Sequence, residues 1–92
     1  MNIVNVQLPS QLSDFVAGRR NIEIEASTLG EVFRKIDEVS PMIHSQVFDI
    51  SGSLRQFVCI FLDEKQVCDL GDGSQPVWNG CQVLIIMSVA GG

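Results

Sequence analysis

The feature that most constrains the fold is a single amphipathic helix set between strand-like runs. Apolar residues recur at helical spacing from Leu29 to Val39, and charged residues occupy the positions between them. Thr28 and Glu31 form the capping-box pattern that begins such a helix, and Ser40-Pro41 ends it. The apolar stripe consists of Leu29, Val32, Phe33, Ile36 and Val39. A helix with one apolar stripe must bury it against a second layer, so the flanking runs must supply that layer.

Alternating runs on both sides of the helix predict a sheet. Val4, Val6 and Leu8 alternate with polar residues, and Ile22 and Ile24 do so in the next run, which predicts an antiparallel hairpin. Further strands are predicted over 57–62, at Val67 after a tight turn over 63–66, and over 82–89. We therefore expect one α+β domain spanning residues 1–92, in which a mixed sheet of four to five strands packs on one main helix. The first and last strands are expected at the centre of the sheet.

Two connecting segments also contain apolar residues. We expect Leu12 and Phe15 to be tucked under the connection over 10–18. Residues 42–50 are ambiguous. They could form a short helix, with Ile43, Val47 and Ile50 on its inner side. Residues 69–79 are predicted to be mainly loop, since glycine and proline interrupt them.

Charge and hydropathy exclude several classes of partner. Eleven acidic against six basic residues give a formal net charge of −5, which argues against nucleic acid and anionic membranes as partners. The longest aliphatic run has five residues, far short of the roughly 20 that cross a bilayer. There is no basic-then-apolar signal segment. We therefore expect a soluble, cytoplasmic protein.

The titratable and nucleophilic residues show no catalytic or metal-binding pattern. Cys59 lies inside an apolar run, whereas Cys68 and Cys81 fall near turns and are expected to be exposed. No cysteine pair has C-x-x-C spacing, and the only histidine, His44, is far from them, so no metal site is predicted. No Ser, His and Asp spacing suggests a triad, and no catalytic residue is predicted.

The sequence ends in Gly91-Gly92, directly after an apolar run. Two residues without side chains make a narrow segment that can thread a tight channel and present its last carbonyl to a nucleophile. We expect residues 89–92 to form a flexible tail, in which Val89, Ala90 and Gly91 thread the channel. The chain lacks a G-x-x-x-x-G-K-[ST] loop, so we expect it to bind no cofactor and to be activated by another enzyme.

The order of elements and the ending resemble the MoaD/ThiS family of ubiquitin-like sulfur carriers, which have the β-grasp fold. The resemblance covers nearly the whole chain. It is carried by VNVQLP over 4–9, TLGEV over 28–32, FVCIFLD over 57–63, NGCQV over 79–83 and VAGG over 89–92. The Ala-Gly-Gly ending and the length are similar to those of carriers in cysteine and related thio-metabolite biosynthesis. The chain has Cys81 and Met87 where family members often have Asp and Pro.

This resemblance implies a chemistry for the tail. An E1-like enzyme would adenylate Gly92 with ATP-Mg, and a sulfur-donating enzyme would convert the adenylate to a thiocarboxylate. A sulfur-accepting biosynthetic enzyme, such as one resembling cysteine synthase, would then collect the sulfur. The chain itself would be a protein substrate and sulfur donor, not an enzyme.

Partner docking requires an exposed surface near the tail. Phe57, Cys59 and Phe61 lie opposite the inferred core side of their strand, and Leu84 and Ile86 do so in the last strand. We expect these five residues to form an apolar docking patch.

Two other functions remain open at this point. The activated tail of a ubiquitin-like modifier would be captured by lysine amines, and a small subunit of a molybdopterin-synthase-type complex would pair with a larger catalytic subunit. The same tail serves all three functions, so the sequence does not separate them.

Overall fold

The computed structural model describes residues 2–88, so the predicted tail, Val89–Gly92, lies outside the described residues. The strands are β1 (Ile3–Gln7), β2 (Asn21–Glu25), β3 (Val58–Leu62), β4 (Lys65–Val67) and β5 (Gln82–Met87). The helices are α1 (Ser10–Ser13), which runs into a 3-10 turn (Asp14–Val16), α2 (Leu29–Val39) and α3 (Pro41–Val47). No helix in the described part of the chain has the length and apolar character needed to cross a membrane.

The five strands form one mixed sheet in the order β2-β1-β5-β3-β4. β1 and β5 are parallel neighbours, and the other three pairings are antiparallel. Val4 and Val6 of β1 and Val83 and Ile85 of β5 are buried on the helix side of the sheet. The α+β class, the number of strands, and the central position of the first and last strands are therefore confirmed.

The β1–β2 hairpin is confirmed, but the connection between its strands differs from the prediction. Leu12 is buried as expected, whereas Phe15 is 40% exposed and Val16 is buried instead. The reason is that the connection is helical, over α1 and the 3-10 turn. Positions four residues apart lie on the same side of a helical turn, so Val16 follows Leu12 into the core.

Helix α2 begins with the predicted cap. The Thr28 hydroxyl accepts a hydrogen bond from the Glu31 N–H at 3.2 Å, and the Glu31 carboxylate accepts one from the Ser27 N–H at 2.7 Å. The reciprocal bond of the capping box thus goes to Ser27 and not to the cap residue. Four predicted stripe residues are buried, namely Leu29, Val32, Phe33 and Ile36.

The end of the predicted apolar stripe was wrong, because Val39 is 51% exposed. The helix ends at this residue and the backbone of Ser40 is extended. Helix α3 packs against α2 and contributes the next buried side chains, Ile43 and Val47.

The prediction that Ile50 lies on the inner side was also wrong, since its side chain is fully exposed. Helix α3 ends at Val47 and the backbone of Phe48 is extended, so helical spacing no longer applies. Phe48 is the buried residue instead, and its ring packs edge-on against Phe33 with centroids 5.2 Å apart.

The β3–β4 hairpin has a tighter turn than predicted. Leu62 pairs with Lys65, so the turn contains two residues, Asp63 and Glu64, in place of the four expected. Asp63 takes a left-handed φ of 53°, which aspartate tolerates better than most residues. Its carboxylate accepts a hydrogen bond from the Gln82 N–H at 2.9 Å. This bond links the turn to the start of β5.

Cys81 was predicted to be exposed, but its side chain is only 1% exposed. Its carbonyl accepts a hydrogen bond from the Asn5 N–H at 2.9 Å, and its own N–H donates to the Trp78 carbonyl at 3.1 Å. The turn over Asn79-Gly80 therefore delivers Cys81 directly against β1, where the core covers it.

The first turn of α2 makes a close backbone contact with the loop over 69–79. The Gly30 N–H donates to the Gly73 carbonyl at 3.0 Å. A Cβ placed on Gly30 would lie 2.9 Å from both the Cα and the carbonyl oxygen of Gly73. Only glycine at position 30 permits this approach, because both contacting atoms belong to the backbone and neither can rotate away.

We expect Gly30→Ala to lower the free energy of unfolding, by about 1–3 kcal/mol as for other overpacked sites. Helix propensity alone predicts the opposite, since alanine is favoured over glycine by about 1 kcal/mol. Urea denaturation followed by the fluorescence of Trp78, the single tryptophan, measures the difference. Asp37→Ala, at an exposed position of the same helix, is the matched control and should change stability by less than about 0.5 kcal/mol. A more stable Gly30→Ala variant would contradict the close contact.

Candidate functional site

The sheet has a buried face and an outward face, and strand β3 separates them clearly. Val58, Ile60 and Leu62 are buried, whereas Cys59 and Phe61 between them are half-buried. Helix α3, which could have covered these outward residues, packs against α2 on the buried side. The predicted alternation of β3 is therefore confirmed.

Strand β5 shows the same alternation. Val83 and Ile85 are buried, Leu84 is half-buried, and Ile86 is 42% exposed. Met87 is partly buried and packs against the core. The predicted outward residues of β5, Leu84 and Ile86, thus lie on the same face of the sheet as Cys59 and Phe61.

The β3–β5 register brings these four residues together. Cys59 is paired with Ile86, and Phe61 is paired with Leu84. Directly opposite residues have Cβ atoms about 4.5–5.5 Å apart, so their side chains touch. Cys59, Phe61, Leu84 and Ile86 therefore form one contiguous apolar surface, called here the outer patch.

The fifth predicted docking residue, Phe57, does not belong to the outer patch. It lies in the turn before β3, which begins at Val58. Its half-buried side chain packs against the core. The alternation that assigned it to the outward face does not apply there, because the residue is not part of the strand.

Polar side chains border the outer patch on both sides. Phe61 is paired with Gln66 of β4, and Leu84 is paired with Gln7 of β1. Further along the sheet, the outward residues of β2 include Glu23 and Glu25, both exposed. An apolar surface with a polar rim is typical of a protein-docking site.

A cleft of about 320 Å³ opens at the end of β5. Its walls come from the ends of three strands and from the chain around them, and they comprise Gln7, Leu8, Pro9, Arg20, Asn21 and residues 84–87. Arg20 is held at this wall because its Nε donates to the Leu8 carbonyl at 2.8 Å. Leu84 and Ile86 belong to both the cleft and the outer patch, so the two surfaces are continuous.

The end of β5 is held firmly on one side. Met87 is paired with Val58, and the N–H of Ser88, the last described residue, donates to the Phe57 carbonyl at 2.9 Å. Gln11 adds a bond from its side-chain amide to the Met87 carbonyl at 3.4 Å. Val89–Gly92 therefore follow an anchored point beside the outer patch and the cleft, and these four predicted site residues themselves lie outside the described residues.

The helix end best suited to hold a phosphate is already occupied. Near the N-terminus of α2, the Leu29 N–H donates to the Gln75 carbonyl at 2.8 Å, and the Gly30 N–H donates to the Gly73 carbonyl. The Glu31 N–H is taken by Thr28. Since anion sites of this kind use free N–H groups at a helix start, the loop over 69–79 closes α2 to a nucleotide phosphate.

Within residues 2–88, no group of three or more His, Cys, Asp or Glu side chains is placed to hold a metal ion. His44 lies against the Phe48 ring, with centroids 4.8 Å apart. Asp72 accepts hydrogen bonds from Ser74, which lower its pKa below the usual value, the side-chain bond having the largest effect. These are local structural contacts in loops and helix ends, away from the outer patch.

Sequence reasoning missed the cleft and the role of Arg20 in its wall. The residues come from three segments far apart in the chain. Arg20 meets Leu8 through the β1–β2 hairpin, but residues 84–87 join them only because β1 and β5 pair in parallel, which no local pattern indicates.

Comparison with known proteins gives relatives over nearly the full length. The sulfur carrier protein CysO of Mycobacterium tuberculosis H37Rv is 29% identical over 91 residues, covering 97% of this chain and 98% of the relative. The crystal structure of M. tuberculosis CysO matches with a TM-score of 0.82 and 26% identity, over 94% of this chain and 99% of that chain. No protein-family model matches the chain.

Two further solved structures share the fold at lower identity. A chain of the Amycolatopsis orientalis BexX/CysO complex matches with a TM-score of 0.78 and 21% identity, over 97% of this chain and 99% of that chain. The small archaeal modifier protein 1 of Methanosarcina acetivorans matches with a TM-score of 0.79 and 17% identity, over 100% of this chain and 98% of that chain. At such identities the likeness concerns the fold alone. The full-length match to CysO makes the chain a homologue of that sulfur carrier protein, and the structures give it the β-grasp fold of the MoaD/ThiS-like ubiquitin-like proteins.

Proposed function

We propose that this protein is a sulfur carrier that supplies sulfur to cysteine or a related thio-metabolite pathway. The observation that carries the proposal is its homology to CysO along 97% of the chain. The anchored end of β5, followed by Val89-Ala90-Gly91-Gly92, supports it. A carrier needs a folded domain for recognition and a narrow carboxyl end for chemistry, and in this proposal Val89–Gly92 serve as that end.

The chemistry of the tail requires an activating partner. A carboxylate is a poor electrophile, so we propose that an E1-like enzyme joins the Gly92 carboxylate to the AMP moiety of ATP-Mg and releases pyrophosphate. Sulfide released by a sulfur-donating enzyme then attacks the acyl carbon of Gly92, breaks its bond to AMP and leaves a thiocarboxylate. We propose that the protein is the substrate of both steps and catalyses neither, and that it afterwards donates its thiocarboxylate sulfur to an accepting enzyme.

We propose that partner enzymes recognise the carrier through the outer patch. Its four residues are apolar or weakly polar, they are contiguous through the β3–β5 register, and they lie beside the end of β5. A partner that docks there would have the tail within reach. The Amycolatopsis orientalis CysO was solved in a complex with BexX, which supports the idea that carriers of this fold bind partner proteins directly.

A thiocarboxylate on Gly92 gives the first test of this function. After incubation with a cognate E1-like enzyme, ATP-Mg and a sulfur source, the intact mass should rise by the difference between one sulfur and one oxygen atom. The control is a variant that lacks Gly92, whose mass should stay constant. An unchanged mass of the full chain with its encoded activating enzymes would contradict the proposal.

Substitution of Gly91 separates the tail from the folded body. We expect Gly91→Phe to abolish thiocarboxylate formation, since a bulky side chain blocks a narrow channel and a β-carbon restricts the backbone. Its unfolding curve should match the wild type, because the buried core cluster is built from residues 4–85. A Gly91→Phe variant that is activated at the normal rate would rule out tail threading.

Two neighbouring residues of β3 provide a matched pair for the outer patch. Phe61→Asp should weaken activation by raising the KM of the E1-like enzyme for the carrier, since it puts a charge into an apolar contact. It should leave the circular dichroism spectrum unchanged, because this side chain faces outward. Ile60→Asp should unfold the domain, as it buries an unpaired charge at a fully buried position.

Normal activation of a folded Phe61→Asp variant would show that the outer patch is not the docking site.

The product of activation also separates the three candidate functions. High-mass conjugates that depend on Gly92 would identify a protein modifier, and a stable pair with a larger catalytic subunit would identify a molybdopterin-synthase-type small subunit.

A further inference from the structure

The β3–β4 hairpin brings two cysteines of this chain into register. Ile60 is paired with Val67, Phe61 with Gln66, and Leu62 with Lys65. In an antiparallel pair, residue numbers rise on one strand as they fall on the other. Continued one residue beyond the Ile60–Val67 pair, the same register would place Cys68 opposite Cys59. Cys68 directly follows β4, which ends at Val67.

The alternation of burial, continued by one residue past β4, puts both cysteines on the outward face. Ile60 and Val67 are buried as the preceding pair, so the next pair points the other way. Cys59 is half-buried and Cys68 is exposed. The side-chain amide of Gln66, which lies on the same face, is 3.8 Å from the Cys59 sulfur. The two thiols therefore share one surface that solvent can reach.

The spacing of such a pair suits a covalent bond. Directly opposite residues of antiparallel strands have Cα atoms about 4.5–5.5 Å apart. Disulfides span Cα separations of about 4.4–6.8 Å. β4 is an edge strand, paired only with β3, so the chain at Cys68 can adjust without disturbing another strand. Both cysteines are free thiols in the structure.

We propose that Cys59 and Cys68 form a reversible dithiol–disulfide site on the outward face of the sheet. The thiolate of one cysteine attacks a low-molecular-weight disulfide such as oxidised glutathione and releases one glutathione thiol. The second thiolate then attacks the mixed disulfide and releases the other glutathione. The two protons of the cysteines pass to the two released thiols, and the two electrons that the cysteines lose reduce the glutathione disulfide.

The third cysteine cannot take part. Cys81 is almost completely buried, in the residue before β5 and against β1. A thiolate in that position is shielded from a soluble disulfide. The site is therefore specific to one pair, and it includes Cys59, a member of the outer patch. This inference does not depend on the proposed sulfur-carrier function.

The test uses the full chain with oxidised glutathione and no partner enzyme. The monomer should lose the mass of two hydrogen atoms, and dithiothreitol should restore it. In a Cys81→Ala variant, trypsin cleaves after Arg55 and Lys65 and leaves Cys59 and Cys68 in separate peptides. These two peptides should remain joined after oxidation and separate on reduction.

Single variants give the matched controls. Cys59→Ser and Cys68→Ser should each keep one glutathione as a mixed disulfide, because the resolving thiol is absent, whereas Cys81→Ala should still lose two hydrogen atoms. The wild-type protein would overturn the proposal if it carried glutathione on both Cys59 and Cys68, formed a cross-linked dimer, or kept two reactive thiols. These readings on the wild-type chain hold even if a serine variant folds poorly.

Discussion

The parallel pairing of β1 with β5 is the interaction on which the rest of the structure depends. It joins the two ends of the described chain at the centre of the sheet, and it buries Val4, Val6, Val83 and Ile85 beneath α2 and α3. Buried apolar area is the main source of stability in a domain of this size. The same pairing places the end of β5 beside the cleft, so the folding core and the candidate site share one strand.

The two faces of the sheet differ in burial, and the proposed docking surface lies on the exposed one. The inward residues of β3 and β5 build the core, while the outward residues between them make the outer patch. Adjacent positions of one strand therefore differ in exposure, Ile60 being buried and Phe61 half-buried. The loop over 69–79 also has a structural role, because its carbonyls occupy the N–H groups near the start of α2. The N–H groups at the start of α2 therefore hold this loop in place.

Much of the fold was predictable because local pattern and tertiary packing agree. The cap at Thr28 and the alternation of β3 require only neighbouring residues, and both were confirmed. The errors lie where a helix ends and its period no longer applies: Val39 and Ile50 were assigned inward but are exposed. Cys81 was misplaced for a related reason, since the turn before it suggests solvent but β1 covers it.

By itself, the sequence determined the α+β class, the single main helix, the faces of the strands and the glycine ending that suggests the chemistry. These depend on residue type and on short-range periodicity. Only the tertiary structure decided the β3–β4 register and the cleft beside Arg20. A four-residue turn would pair Leu62 with Val67, whereas the two-residue turn at Asp63-Glu64 pairs Leu62 with Lys65 and Ile60 with Val67. Turn length and strand pairing join residues distant in sequence, and no local pattern encodes which of them will meet.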